Sequence, residues 1–287
     1  MSTDIRPDQE APQARGEGAS DAYTFAFADH GAQLYGLARA GMVPGNAEAF
    51  SGMGLLFAGT EPVAVEAEGG VAEGVAPAGI TTRTIEPLRK WHVTFGDAFD
   101  LEVTALTPPA AVGGKDPVAK AGGMEGYEQL CRFRGTANGV KVDCLGQRGH
   151  SWGAPDWKKI ALTRTLTAWF DTETAVSITT VRPQSAKHHA DEAVAATLVE
   201  AGQPARVHEP LVSTTFDGEG RQRHAGLELW MSDAEDAYPH RAAGQVLCGT
   251  TLDLGRLRLD AAFFEWKMEG RVGVGRYDVL RRSDDAA

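Results

Sequence analysis

The sequence lacks a long apolar run, and it also lacks the features of an export signal. Among its 287 residues, no stretch approaches the ~20 consecutive apolar residues that a helix needs to cross a bilayer, so we expect no membrane span. Residues 1–21 have neither the basic start nor the apolar centre of a signal peptide. Their polar composition, with proline and glycine, predicts a disordered leader. We therefore expect a cytoplasmic protein.

Basic residues are also few in comparison with acidic ones. Lysine and arginine number 28 against 39 aspartates and glutamates, which gives a formal net charge of -11. An acidic surface repels phosphate backbones, and no basic stripe with interleaved aromatic residues offsets this repulsion. The composition argues against a nucleic-acid partner.

Cysteines are scarce and are not spaced for metal binding. Cys131, Cys144 and Cys248 are odd in number, and although Cys131 and Cys144 are spaced to face each other across a hairpin, the missing export signal favours reduced, buried thiols. No glycine-rich turn joins a strand to a helix, so neither a dinucleotide-binding fold nor a phosphate loop is indicated. We expect no metal and no other cofactor.

Alternation of apolar and polar residues with period two dominates the chain. In YTFAFA, Tyr23, Phe25 and Phe27 share one face of a predicted strand, and the same period recurs in KWHVTF, DLEVTAL, VKVDC, LELWM and GRLRLDAAF. Asn138-Gly139 separates two such segments, which is the strongest short signal for a hairpin. Asp217-Gly218 and Glu269-Gly270 predict similar turns. Short strands joined by tight turns predict an all-β sandwich or barrel of antiparallel strands.

Helical signal is almost absent, and two loop-like stretches divide the chain. Residues 190–197 are compatible with one helix or with a strand and its flanking loop. Residues 107–123 are rich in proline, glycine and alanine and predict a surface excursion, and residues 155–159 form a candidate hinge. We predict two consecutive β domains, residues 22–153 and 154–282.

The most unusual stretch is GYEQLCRFRGTANGVKVDCLGQRGHSWGAPDW, residues 126–157. It is predicted to form a strand, a turn at Asn138-Gly139 and a second strand that breaks at Gly146. After the break, His150 and Asp156 lie close in sequence to Trp152 and Trp157. Bulky rings among glycines at a strand end predict packing over a cavity or a barrel mouth.

This stretch resembles the hydroxyneurosporene synthase, or carotenoid hydratase, superfamily, which includes kievitone hydratase-like and Diels–Alderase-like members. The resemblance lies in Tyr-Glu-Gln, the Asn-Gly hairpin and Gly-Gln-Arg-x-His-Ser-Trp-Gly-x-x-Asp-Trp, and more weakly in the two ends of the globular chain. It implies two lipocalin-like domains around a ligand site and cofactor-free hydration or cycloaddition of isoprenoid- or polyketide-like substrates. Relatives commonly have aspartate where this chain has Gly149, so chemistry that used that aspartate would need another carboxylate here.

The candidate site residues come from this stretch. They are Asp156, His150 and Glu128 as catalytic residues, and Trp152, Trp157, Tyr127 and Arg148 as substrate-binding residues. Hydration of an alkene requires an acid that protonates carbon, and burial keeps a carboxyl group protonated for that role. Asp156 or Glu128 would be the acid, His150 a proton relay, and the two tryptophans a platform for the carbocation. For a pericyclic reaction, Arg148 and Tyr127 would polarise a carbonyl group.

Structural roles compete with each of these assignments. His150 would also suit a hydrogen bond to a backbone carbonyl, and Asp156 would suit a pair with Arg148 or a cap on the following turn. Trp152 and Trp157 would also serve as apolar packing. The direction of Glu128 depends on the register of its strand.

The sequence thus favours a cofactor-independent enzyme, a hydratase or a cyclase/isomerase, acting on an unsaturated hydrophobic small molecule. The alternative is a non-catalytic carrier of such a molecule. A protonatable carboxyl group among aromatic rings would favour the enzyme. The oligomeric state, a homodimer included, stays open.

Overall fold

The computed structural model describes residues 5–13, 19–42, 50–68 and 79–283. The chain divides into two compact units. Unit 1 comprises the residues up to Lys115 and the segment Gly123–Pro155, whereas unit 2 comprises Asp116–Gly122 and the residues from Asp156 onward. The predicted domain ranges, residues 22–153 and 154–282, stay predictions.

In unit 1, a short 3-10 helix, Pro7–Glu10, precedes the strands. The strands are β1 (Ser20–Asp29), β2 (Leu34–Met42), β3 (Phe50–Ala58), β4 (Glu61–Glu68), β5 (Ile80–Glu86), β6 (Lys90–Phe95), β7 (Phe99–Ala105), β8 (Ala110–Val112), β9 (Met124–Ala137) and β10 (Val140–Gly153). They form one antiparallel sheet in the order β4-β3-β2-β1-β10-β9-β7-β6-β5, with β8 paired to β9.

In unit 2, the helix α1 (Pro117–Gly122) packs against strands of that unit. The strands are β11 (Ile160–Trp169), β12 (Ala175–Pro183), β13 (Ala193–Glu200), β14 (Gln203–Arg206), β15 (Glu209–Phe216), β16 (Gln222–Trp230), β17 (His240–Asp253), β18 (Leu257–Met268) and β19 (Arg271–Arg282), with a 3-10 turn at His189–Asp191. Their order, β14-β13-β12-β11-β19-β18-β17-β16-β15, repeats that of unit 1. The prediction of an all-β chain with two consecutive lipocalin-like antiparallel domains is confirmed.

The period-two pattern identified the inner face of β1, β6, β7 and β16. For β18 its phase is wrong, because the core of unit 2 takes Ala262, Phe264 and Trp266 rather than Ala261 and Phe263. Phe25 and Phe27 of β1 are buried in the core of unit 1, and Tyr23 packs against that core. The turn at Asn138-Gly139 joins β9 to β10 with φ values of 50° and 72°. Positive φ at both turn residues is the type I′ geometry that matches the twist of a hairpin. Residues 193–200 form a strand, so the strand alternative holds for this segment.

The predicted break at Gly146 is wrong, because β10 runs without interruption to Gly153. Glycine is needed at 146 for close packing: a Cβ atom there would lie 2.2 Å from the Ala26 carbonyl oxygen and 2.5 Å from the Phe133 ring. Since no side chain fits, the glycine lets β1 and the Phe133 ring approach β10.

The leader prediction is also wrong in part. Residues 1–4 and 14–18 lie outside the described residues, but residues 5–13 include the 3-10 helix, and Glu10 is only 6% exposed. Composition missed this order because a buried carboxylate and a few polar contacts, rather than an apolar cluster, hold the segment in place.

Candidate active site

The interior of unit 1 has an apolar body and a polar end. Along β1 the inward positions pass from Phe27 and Phe25 to Tyr23 and Asp21, and along β10 they pass from Gly146 to Arg148, His150 and Trp152. The ladders place Tyr23 opposite His150 on one side and Tyr127 of β9 opposite it on the other. Antiparallel pairing therefore gathers side chains that are distant in sequence.

His150 lies at the centre of this end and is 1% exposed. Its Nε2 is 2.7 Å from Asp21 Oδ1, and its Nδ1 is 3.0 Å from the Gln9 carbonyl oxygen. A carbonyl oxygen only accepts, so Nδ1 carries a proton. The short Nε2–Oδ1 contact then holds a second proton, shared between the ring and the carboxylate. His150 and Asp21 together thus share one proton at a buried position.

Arg148 is fully buried beside this pair. Its guanidinium carbon lies 4.9 Å from the centre of the Trp91 ring and 5.1 Å from the ring centres of Tyr23 and Tyr127. The guanidinium forms a salt bridge to Glu10 and donates a hydrogen bond to the Tyr127 hydroxyl. Because an isolated buried charge is costly, Glu10 and the aromatic faces are what make this cation tolerable.

The Tyr127 hydroxyl donates to Glu10 Oε2 at 3.1 Å while it accepts from Arg148. Burial raises the pKa of Tyr127 well above its ordinary value. The pKa of Tyr23 is raised for the same principal reason, and its hydroxyl donates to the Glu10 carbonyl oxygen at 2.8 Å. Both phenols therefore stay protonated and act as hydrogen-bond donors.

Four predicted site residues come together here: Tyr127, Arg148, His150 and Trp152. The Trp152 ring centre lies 4.8 Å from that of His150 and 6.2 Å from that of Tyr127. Trp152 is half-buried, so it joins the buried cluster to the surface of unit 1.

Three predicted residues do not join this cluster. Asp156 is exposed in the turn before β11, where its carboxylate accepts from the Lys158 N–H and pairs with Lys159 at 3.1 Å. The hydrogen bond from Lys159 lowers the pKa of Asp156, so the prediction of a protonated, buried acid is wrong and the turn-capping alternative holds. Trp157 follows in the same turn, belongs to unit 2 and is half-buried.

Glu128 lies on the opposite face of β9 from Tyr127, directly across from Gly149. A Cβ atom at 149 would lie 3.6 Å from Glu128 Cγ, an ordinary contact distance. The carboxylate of Glu128 therefore lies next to the position at which the resembling family has aspartate.

Sequence reasoning missed Glu10, Asp21, Tyr23 and Trp91. Asp21 was within reach, because it continues the inward series of Tyr23, Phe25 and Phe27 by one step. Trp91 likewise has the inward phase of Val93 and Phe95. Glu10 carried no signal, since it lies outside every periodic segment.

Within the described residues, no three histidine, cysteine, aspartate or glutamate side chains come together as a metal-binding group. The thiols are free, and burial raises the pKa of Cys131 to about 12. Of the helices that the structure describes, none has the length and apolar character needed to cross a bilayer.

Comparison with known proteins gives a family and a fold. The model of a family described as a domain of unknown function, DUF7064, matches residues 6–282. No curated protein matches the sequence.

Three solved structures are similar in fold. The structure of CghA has a TM-score of 0.62 at 12% identity and covers 96% of this chain and 93% of its own. Kievitone hydratase from Nectria haematococca has a TM-score of 0.62 at 13% identity, with coverages of 99% and 94%. A putative AttH from Nitrosomonas europaea has a TM-score of 0.67 at 12% identity, with 98% of both chains covered. The fold predicted from the sequence motif is thereby confirmed.

Proposed function

Since the chain belongs to the DUF7064 family and shares the fold of a hydratase, we propose that it is a cofactor-independent enzyme of the hydratase or cyclase/isomerase type. The substrate is an unsaturated, largely hydrocarbon small molecule of isoprenoid or polyketide kind. The chemistry takes place at the polar end of unit 1. The observation that carries this proposal is the buried contact of 2.7 Å between His150 Nε2 and Asp21 Oδ1, with the rings of Tyr23, Tyr127 and Trp152 against the imidazole.

For hydration, the His150–Asp21 pair supplies the proton that one alkene carbon receives. A water molecule then bonds to the other carbon, and the proton that it loses returns to the pair, so that alkene and water become alcohol without an oxidant or reductant. A positioned general acid contributes about 100- to 10,000-fold to such a rate. The rings of Tyr127 and Trp152 next to His150 would stabilise the intermediate cation.

For cyclisation or isomerisation, the donors matter more than the stored proton. The Tyr127 hydroxyl is held by Arg148 and stays protonated because burial raises its pKa. A donor fixed in a site without water stabilises developing negative charge on a substrate oxygen more strongly than the same donor in water. The Tyr127 hydroxyl donates to Glu10 in this structure, so it would act as the donor when a substrate oxygen takes the place of that carboxylate, and Trp152 would act as a wall of the site.

Glu128 offers a second place for the acid, on the other face of the same two strands. Its position beside Gly149 makes it the carboxylate that would replace the aspartate of the resembling family. The two faces can be separated by mutation, because Glu128 and His150 point in opposite directions.

The test is turnover of a panel of polyenes and conjugated dienes by the full chain in ¹⁸O-labelled water, followed by mass spectrometry. A product heavier by one labelled water indicates hydration, and a product of unchanged mass but new retention indicates cyclisation or isomerisation. His150→Asn should reduce turnover about 100-fold or more while substrate binding persists. Glu128→Gln should leave turnover near that of the wild type.

His92→Asn is the matched control, because His92 Nε2 also lies 2.7 Å from an aspartate, Asp100, but both side chains are accessible to solvent. It should leave turnover unchanged. Full activity in His150→Asn together with loss in Glu128→Gln would move the chemistry to the opposite face. Tight binding without turnover of any panel member would favour the carrier.

A further inference from the structure

The carboxylate of Glu10 occupies a set of four donors that unit 1 provides. Oε1 accepts from Arg148 Nη2 and from Trp91 Nε1, the latter at 2.9 Å. Oε2 accepts from the Tyr127 hydroxyl at 3.1 Å and from the Leu88 N–H at 3.1 Å. Each oxygen thus meets two donors, an arrangement that fits a planar two-oxygen anion.

One donor is held in an unfavourable backbone conformation. Leu88 has φ of 61°, in the left-handed region that residues with a side chain seldom adopt. Its N–H nevertheless points at Glu10 from the turn between β5 and β6. Such outliers persist where the surrounding structure holds them in place, often at ligand-binding positions.

The occupant of this donor set does not belong to the sheet. Glu10 comes from the segment 5–13, in which it alone is buried. The other contacts of the segment with the strands of unit 1 include hydrogen bonds from the Tyr23 hydroxyl to the Glu10 carbonyl oxygen and from His150 Nδ1 to the Gln9 carbonyl oxygen. The Gln13 N–H also donates to the Asp21 carboxylate at 2.6 Å. A segment held through one carboxylate and a few polar contacts, without a buried apolar side chain, binds as a tethered carboxylate ligand would.

We infer that unit 1 contains a carboxylate-binding site, which the chain fills with its own Glu10 and which accepts the carboxylate of a hydrophobic acid when Glu10 withdraws. The inference deepens the proposed function and rests on it for the substrate class, an unsaturated apolar molecule that carries a carboxylate. Arg148 and Trp91 would bind one oxygen of that group, and Tyr127 and Leu88 the other. The apolar part would lie along the half-buried Trp152.

Acetate is the probe for the site itself. In Glu10→Ala the remaining methyl group is Cβ, so acetate supplies the missing carbon and carboxylate. The melting temperature of Glu10→Ala should rise with acetate in a saturable manner, because a ligand that binds only the folded state stabilises it. Acetamide and chloride at equal concentration should have no such effect. Glu10→Gln should not respond to acetate, since the amide fills the site.

Arg148→Met in the Glu10→Ala background should abolish the response to acetate. Equal responses of the wild type, the single variant and the double variant would reduce the effect to ionic strength and overturn the inference. If Glu10→Ala does not fold in plain buffer, recovery of soluble protein on refolding with acetate, but not with acetamide, supports the site. Failure of both compounds to restore folding overturns it.

Decanoate and decanol test the substrate class. Glu10→Ala should bind decanoate about tenfold or more tightly than decanol, since a single charge-assisted hydrogen bond is worth that ratio. If acetate stabilises Glu10→Ala but decanoate binds no more tightly than decanol, the proposal of a hydrophobic acid as ligand is overturned, while the anion-binding site remains supported. Binding of both acids without turnover of any polyene would overturn the enzyme proposal and leave the carboxylate site standing.

Discussion

Replacement of Arg148 by methionine is the sharpest test of how the polar end of unit 1 is stabilised. The side chain is fully buried and bonded to Glu10 and Tyr127. Methionine keeps most of the apolar volume between the three aromatic rings and removes the charge. The variant thereby separates electrostatics from packing.

The expected decrease in the free energy of unfolding of Arg148→Met follows from the burial of its partner. Glu10 is 6% exposed, so while its segment stays docked its carboxylate would meet only the neutral donors of Trp91, Tyr127 and Leu88. Removal of one partner from a buried ion pair costs about 3–5 kcal/mol because the other charge is left uncompensated. In the double variant Glu10→Gln, Arg148→Met, the free energy of unfolding should decrease by less than the sum of the decreases in the two single variants, since no unpaired charge is left.

The assay is urea denaturation with pulsed hydrogen exchange, in which peptides from β9 and β10 report on unit 1. Arg132→Met is the matched control: Arg132 of β9 also pairs with a carboxylate, that of Asp143 on β10, but at the surface. Exposed pairs contribute little, so the control should shift the midpoint far less than Arg148→Met. Equal shifts for the two variants would refute the account of the buried pair.

Two further predictions concern alkaline pH and glycine. Tyr23 and Tyr127 have raised pKa values in the folded chain, so the unfolded state loses their protons first and the free energy of unfolding should fall as pH rises above about 10. Urea titrations should show a weaker fall for Tyr127→Phe. Ionisation of both phenols at pH 10 without unfolding, seen as tyrosinate absorbance, would contradict this prediction. Gly146→Ala should lower the free energy of unfolding by about 1–3 kcal/mol, because its Cβ atom would overpack against Ala26. Gly149→Ala should be nearly neutral, since the nearest neighbour of its Cβ atom lies at 3.5 Å. Equal melting temperatures for the two variants would contradict the packing argument.

The sheets were predictable because alternation is a local signal. Burial of one face imposes period two on each strand, and Asn138-Gly139 fixes one register through turn geometry alone. From that register, Tyr127, Arg148, His150 and Trp152 fall on one face of adjacent strands. This part of the site followed from the sequence once the hairpin was recognised.

The rest of the site depends on pairings between distant segments. Asp21 meets His150 because β1 pairs with β10 across more than a hundred residues, and no local pattern encodes that ladder. Glu10 meets Arg148 through a segment without periodicity. Asp156 is near Trp157 and His150 in sequence, but the turn that follows β10 directs its side chain into solvent, so nearness along the chain does not predict a shared site.

The two units share one strand order but differ in their buried polar clusters, which is why the proposed chemistry is placed in unit 1. Unit 2 also buries an arginine, Arg164, whose partners among the described residues are Glu192, Tyr277 and two threonine hydroxyls. That arginine lies on the first strand of its unit, whereas Arg148 lies on the last, so the two clusters do not correspond residue by residue. These partners of Arg164 are a carboxylate and hydroxyls, which satisfy its donors but offer no imidazole. In unit 1 aromatic faces surround the cation and His150 lies beside it, so unit 1 combines the proposed proton source with aromatic walls that would suit an apolar substrate.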